Sequence, residues 1–205
     1  PYPPSSLFSS HLLIRRGPVI SGFILIGTSV YCVALDLSLK KDVPLPQGVA
    51  GEAWEVHGGG FYHVQKYLSA PDNLPPHLIW FKWEAYLTWI TGFLLLILQY
   101  YIQADSFLID PSVLPLTPWQ AIGISIASLV AGWFIYDQRC RSPIGKQTGW
   151  LALCVYLLIL AAAYFFSHVF SGRGAFIHIG AFIGTMMAAN VFAVIIPNQG
   201  KITAS

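Results

Sequence analysis

The chain has 205 residues, of which 55% are hydrophobic and only 10% are charged, and its mean hydropathy is +0.61. Soluble domains carry roughly a quarter charged residues, so this composition excludes an ordinary soluble protein and indicates an integral membrane protein. The net charge of +2 is small and scattered, which argues against nucleic acid as a partner. The three cysteines form no CxxC or CxxCH motif, so neither a disulfide framework nor a c-type haem attachment is predicted.

Five apolar stretches are long enough to cross about 30 Å of hydrocarbon as helices. They are residues 18–37, 79–103, 118–137, 149–170 and 175–196. Pro18 and Pro118 are expected to open the first and third helices, where a missing N–H costs little, and Pro197 to close the last. The sequence therefore predicts an all-α, polytopic membrane bundle. It would consist of an N-terminal segment 1–17, a transmembrane domain 18–196 with a polar loop 38–78, and a tail 197–205.

Basic residues are distributed unequally between alternate connections of this bundle. If the N-terminus is outside, the outer connections carry Arg15, Arg16 and Arg173. The inner connections then carry Lys40, Lys41, Lys66, Arg139, Arg141, Lys146 and Lys201. The positive-inside rule therefore predicts an N-out orientation, with the polar loop on the inner side.

The stretch from Gly51 to Tyr86 is the most polar part of the chain. It holds three of the six histidines, and two of these, His57 and His63, flank a run of three glycines that allows a sharp turn. Together with Glu52 and Glu55 they could bind a small molecule, serve acid–base chemistry or bind a metal, although their spacing matches no zinc pattern. An interfacial loop with hydrogen-bonded histidines is the simpler alternative.

The second predicted helix carries a polar stripe. Measured from Glu84, the residues His77, Thr88, Thr91 and Gln99 fall close to one helical face, which is expected to point into the bundle. Ionisable residues in such a position are functional candidates. The alternative is that both threonines bond their own backbone carbonyls, and that Glu84 and His77 simply lie at the membrane interface.

A short turn between the last two predicted helices brings two histidines to a similar depth near the outer side. His168 ends one helix, His178 lies one turn into the next, and Arg173 lies between them. Two imidazoles from adjacent helices are suitable axial ligands for a b-type haem, and an arginine could neutralise a propionate. Hydrogen-bonding histidines at a helix interface are the alternative. Small residues at Gly180, Gly184 and Ala188 would allow a partner helix or a flat cofactor to approach.

Several long motifs resemble one family. HGGGFYHVQKY, HLIWFKWEAYLTWITGF, WFIYDQRCRSPIG and FSGRGAFIHIGAFIGTMMAANVFAVIIPNQ are similar to the membrane domain of the PuuD-type urate hydroxylases, the urate oxidase N-terminal domain family. The resemblance covers residues 22–199. It implies a multi-pass protein of the bacterial inner membrane that oxidises urate to 5-hydroxyisourate and passes the electrons to a c-type cytochrome.

Two departures from the family pattern bear on this expectation. The family pattern continues into further helices and a cytochrome domain, and we expect the 205 residues of this sequence to cover about the first five helices of that pattern. The family's first helix also begins with a Trp-Leu-His pattern, whereas Arg16, Gly17 and Pro18 stand at the matching place. A histidine at the depth of His168 and His178 is therefore missing, which weakens the expected electron exit more than it weakens the polar stretch.

Residues and resemblance together give one hypothesis and one rival. In the hypothesis the catalytic residues are Glu84, His63 and His57, with Glu84 or His63 as the base. The substrate-binding residues are Trp54, Phe61, Trp83 and His77, and the cofactor-binding residues around a haem b are His168, His178 and Arg173. In the rival the chain is a non-catalytic accessory subunit that contacts lipids and other subunits of a respiratory or photosynthetic electron-transfer complex.

Overall fold

The computed structural model describes residues 5–71, 74–75, 77–79 and 81–204, with side chains from residue 16 to residue 202. Its described part contains seven α-helices and one β-hairpin. In chain order these elements are α1 (Ser5–Ser38), β1 (Val49–His57), β2 (Gly60–Tyr67), α2 (Trp83–Leu96), α3 (Ala104–Phe107), α4 (Pro118–Arg141), α5 (Thr148–Ser167), α6 (Gly172–Asn190) and α7 (Ile196–Ala204). A π-helical turn follows α2 at Ile97–Tyr101, and another follows α6 at Val191–Ile195.

Four helical segments in the described part are long and apolar enough to cross a membrane. They are Arg16–Ser38, Pro118–Arg141, Thr148–Ser167 and Gly172–Ile202. The predicted multi-pass helical bundle is therefore confirmed. The predicted second span, residues 79–103, is also helical, but α2 has 14 residues before its five-residue π turn and is shorter than expected. The N-out orientation stays a prediction.

Two predicted helix ends were wrong. Pro197 does not close the last span, because it lies inside α7 and the helical segment runs on to Ile202. Helix α1 begins at Ser5 rather than at residue 18, and Pro18 lies inside it. Proline removes the backbone N–H that would bond the carbonyl one turn earlier. The Ser21 hydroxyl bonds the carbonyls of Gly17 and Pro18, at 2.8 and 3.4 Å, and does not replace that bond. The prediction that Pro118 opens a helix is confirmed, because it follows the N-cap Thr117, whose side chain accepts from the N–H of Gln120.

Helices α1 and α2 pack along each other in opposite directions. The hydroxyls of Ser21 and Thr91 lie 3.2 Å apart, and Gly17 allows close approach, since a Cβ there would be 3.4 Å from the Thr91 methyl. Thr88 and Thr91 also bond the carbonyls of Glu84 and Leu87, at 2.7 and 2.6 Å. The threonines thus do what the simpler interpretation of the polar stripe expected.

Helix α6 is central, because it contacts α2, α4 and α5. The Trp89 indole N–H of α2 donates to Thr185 at 3.1 Å. Phe182 of α6 packs on Gly132 of α4 and lies 6.0 Å, edge to face, from Phe166 of α5. Phe166 and Phe182 are buried. Apolar packing around Phe182 therefore holds three helices together.

Replacing Gly132 should weaken this packing. A Cβ at residue 132 would clash with the Phe182 ring, so Gly132→Ala is expected to lower the free energy of unfolding by about 1–3 kcal/mol. Gly123→Ala on the same helix is the matched control, because nothing lies within 4 Å of its Cβ position. Thermal unfolding in detergent should show a clear loss for the first variant and no loss for the second. Equal stability of the two variants would contradict this packing.

The polar loop 38–78 contains regular structure that was not predicted. β1 and β2 form an antiparallel hairpin in which Trp54 pairs with His63 and Val56 with Phe61. Gly58 and Gly59 have φ of 58° and 81°, as a two-residue type I′ turn requires. The triple glycine therefore makes a hairpin turn, and the alternating residues on both sides of it have the period of strands.

Candidate functional site

The hairpin is attached to the C-terminal end of α1. The Tyr31 hydroxyl donates to Glu55 Oε2 at 2.6 Å, and Lys66 Nζ donates to both carboxylate oxygens of Asp36 at 2.8 Å. The backbones of Lys40 and Glu52 also exchange hydrogen bonds. These contacts fold the hairpin back along the last two turns of α1.

Two of the predicted site residues meet on the other face of the hairpin. The rings of Trp54 and His63 are stacked, with centroids 4.3 Å apart and planes 12° from parallel. His63 Nε2 lies 2.9 Å from Glu52 Oε2. Glu52 therefore fixes the orientation of an imidazole that is already held by an aromatic ring.

His57 and Phe61 lie on either side of the turn and are exposed. Phe61 shares the face of Trp54, whereas His57 lies on the opposite face of its strand. The side chain of His57 has no hydrogen-bond partner in the part of the chain that the structure describes. The structure therefore brings Trp54 and His63 together but leaves His57 apart from them.

Glu84 lies in the first turn of α2. It precedes Thr91 by seven residues, so it shares the face of α2 that Thr91 turns toward α1. Its Oε2 atom is buried and has no hydrogen-bond partner among the described residues. Trp133 Nε1, inside the α4 span, is the other such atom, but it belongs to an uncharged donor. A buried carboxylate oxygen without a donor among the described residues is costly, which makes Glu84 a candidate for a functional residue.

Trp83 and His77 lie at the same end of the bundle as Glu84, and both are exposed. Trp83 makes an edge contact with Tyr86, with ring centroids 5.9 Å apart. No contact that the structure describes joins Glu84 to the rings of Trp54, His63 or Trp83. The predicted site residues thus form two groups, the hairpin face and the start of α2, and not one cluster.

An apolar groove of about 560 Å³ opens beside the start of α2. It runs between α1, the segment before α2, and the π turn and α7 that follow α6, and none of the predicted site residues lines it. Its lining residues are Leu25, Ser29, Leu78, Ile79, Phe81, Ala85, Val191, Ile195, Ile196, Gln199 and Ile202.

At the opposite end of the bundle, His178 is fully buried and both of its ring nitrogens are hydrogen-bonded. Nδ1 donates to the Gly174 carbonyl at 2.7 Å, so Nε2 of the neutral ring accepts from the Ser125 hydroxyl at 2.7 Å. The Tyr101 hydroxyl in turn donates to Ser125 at 2.7 Å. The chain Tyr101–Ser125–His178 therefore connects the π turn after α2 with α4 and α6.

Sequence reasoning found His178 but missed the partners Tyr101 and Ser125. A serine in an apolar helix carries no signal of its partner, and the π turn shifts the register of Tyr101. A polar residue at the buried position of an otherwise apolar span was the one available clue.

The two histidines proposed as haem ligands do not face a common space. His168 is exposed, and its Nδ1 lies 2.8 Å from the Tyr164 carbonyl of its own helix, whereas His178 Nε2 points at Ser125. Arg173 is exposed and lies over the Phe107 ring at 5.5 Å. Two axial imidazoles must present nitrogens to one iron, so this arrangement does not fit a haem b between these residues.

Metal ligation finds no support in the described residues either. No group of three His, Cys, Asp or Glu side chains in the described part lies close enough to hold a metal ion. The His63–Glu52 pair supplies only two such groups.

The spanning helices, with a polar hairpin and a buried carboxylate at one end, define a multi-pass membrane protein. The family model described as urate oxidase N-terminal matches residues 7–205, so the chain belongs to the urate oxidase N-terminal family. This confirms the resemblance of the sequence motifs. No curated protein and no solved structure matched the chain in the same comparisons.

Proposed function

We propose that this chain oxidises urate in a bacterial inner membrane and passes the electrons to a c-type cytochrome, with Glu84 as the group that binds and deprotonates the substrate. Membership of the urate oxidase N-terminal family supports the substrate class. The buried Glu84 Oε2 without a donor is the observation that supports the residue.

Urate is chemically suited to this carboxylate. The purine is planar and carries N–H donors, and one of them would supply the hydrogen bond that Glu84 Oε2 lacks. Once Glu84 has accepted that proton, the purine ring is a better electron donor. In the overall reaction, one uric acid and one water give one 5-hydroxyisourate, two protons and two electrons. Water supplies the hydroxyl that bonds to C5, and two one-electron acceptors of the cytochrome class take the electrons.

Glu84 is a better candidate for the base than His63. Nε2 of His63 is already paired with Glu52, and one face of its ring is covered by Trp54. His63 can still orient substrate through its Nδ1 atom, but its contacts are satisfied without a ligand. Glu84 Oε2 has no hydrogen-bond partner within the described residues, and Glu84 lies at the first turn of α2, where the helix end meets the polar segment.

The test is turnover in membranes that contain the protein, with added oxidised cytochrome c. Urate absorbance should fall while cytochrome c is reduced, with two equivalents reduced for each urate consumed. Membranes that contain folded protein but show no urate-dependent reduction would overturn the proposal and favour the accessory-subunit alternative.

A further inference from the structure

The hairpin lies beside the membrane span and does not project away from it. Its two side-chain tethers on α1, Tyr31 and Asp36, both fall within the span Arg16–Ser38. Glu55 therefore lies beside Tyr31, which precedes the end of α1 by seven residues, or roughly 10 Å along the helix. The hairpin therefore sits at the depth where the span meets the membrane surface.

The face of the hairpin that points away from α1 is apolar and aromatic. Alternation along the strands places Trp54, Val56 and Phe61 on this face, and their exposed fractions are 67%, 67% and 76%. Its charged members, Glu52 and His63, pair with each other. The opposite face carries the tethers Glu55 and Lys66. One face of the hairpin thus holds it to α1, and the other has no protein cover in the described structure.

The turns of α1 to which the hairpin is tied also carry exposed apolar side chains, on the side of the helix away from the tethers Tyr31 and Asp36. Val30, Val33 and Leu37 are 62%, 60% and 83% exposed and belong to a helix apolar enough to cross a membrane. Trp and Phe side chains are suited to the boundary between headgroups and acyl chains. Apart from the bridge between Glu52 and Lys40, a two-stranded hairpin has outer backbone edges without a neighbouring strand in the described structure, which the hydrocarbon core would not tolerate but the hydrated interface does.

We propose that the hairpin is an interfacial anchor whose Trp54, Val56 and Phe61 face rests in the headgroup region of the leaflet at the C-terminal end of α1. The occupant of this face is therefore the lipid surface itself. The proposal is independent of urate oxidation, and it accounts for two exposed aromatic rings that make no contact with Glu84.

Spin labels placed on alternating residues test this anchor in the whole protein reconstituted in nanodiscs. After Cys32, Cys140 and Cys154 are replaced by serine, Val56→Cys and Phe61→Cys would carry a nitroxide on the outer face. His57→Cys is the matched control on the opposite face. Lys146→Cys in an inner connection and Leu157→Cys in the α5 span give the aqueous and lipid references.

Collision rates with oxygen and with a water-soluble nickel chelate give the depth of each label. The ratio of oxygen to nickel collisions at residues 56 and 61 should be several-fold above that at residues 57 and 146, and below or equal to that at residue 157. Ratios at 56 and 61 equal to the aqueous reference would overturn the anchor and leave the face open for a protein partner. A second test needs no spin label. Brominated lipids quench the fluorescence of tryptophan side chains that they touch, so the same degree of quenching in wild type and in Trp54→Phe would also overturn the anchor.

Discussion

Glu84→Gln should reduce urate-dependent cytochrome c reduction by about 10²–10⁴-fold, the range expected for loss of a general base. The amide keeps nearly the same shape but cannot accept a proton at the atom that is buried without a partner. Because the substitution removes a chemical step more than a contact, kcat is expected to fall more than KM rises.

Glu55→Gln is the matched control for this prediction. It makes the same substitution at the same end of the bundle, but the carboxylate of Glu55 already accepts the Tyr31 hydroxyl at 2.6 Å, and an amide oxygen can still accept it. Turnover within about twofold of wild type is expected for this variant. Equal turnover of Glu84→Gln and wild type would remove Glu84 from the mechanism.

His178→Ala should be the most destabilising histidine replacement. It opens a cavity among Tyr100, Phe166 and Phe170 and leaves the buried Ser125 hydroxyl without its acceptor. The expected loss in the free energy of unfolding is on the order of 3 kcal/mol.

His168→Ala is the control, because that side chain is exposed and bonds only next to its own helix. A change within about 0.5 kcal/mol is expected for it. Thermal unfolding in detergent measures both variants. Similar losses for the two would contradict a structural role for the Tyr101–Ser125–His178 chain, and would restore the case for a site that uses both histidines.

The sequence was sufficient to predict the helices because burial in lipid demands long apolar runs whatever their packing. It failed at Pro18, where α1 continues through the proline, and at the hairpin, where the polar composition hid a period of two. A triple glycine between alternating residues is a hairpin signal, but on its own it predicted only a sharp turn and not the paired strands on either side. These errors are local, and they leave the bundle itself unchanged.

The candidate site was predicted less completely because its residues depend on tertiary contacts. His63 and Trp54 were both singled out, but only strand register shows that they stack. His168 and His178 have similar positions on adjacent helices, yet helix rotation exposes the first and buries the second. That Glu84 Oε2 has no donor among the described residues can be found only from the three-dimensional arrangement of the helices.

Urate binding to purified wild-type protein and to Glu84→Gln, measured by calorimetry in detergent, tests the central claim most directly. Wild-type protein should bind one urate per chain, and the variant should bind at least tenfold more weakly, since the buried oxygen loses the charge that favours a purine N–H. Equal affinity of the two proteins, or no binding of urate by folded wild-type protein, would contradict the account.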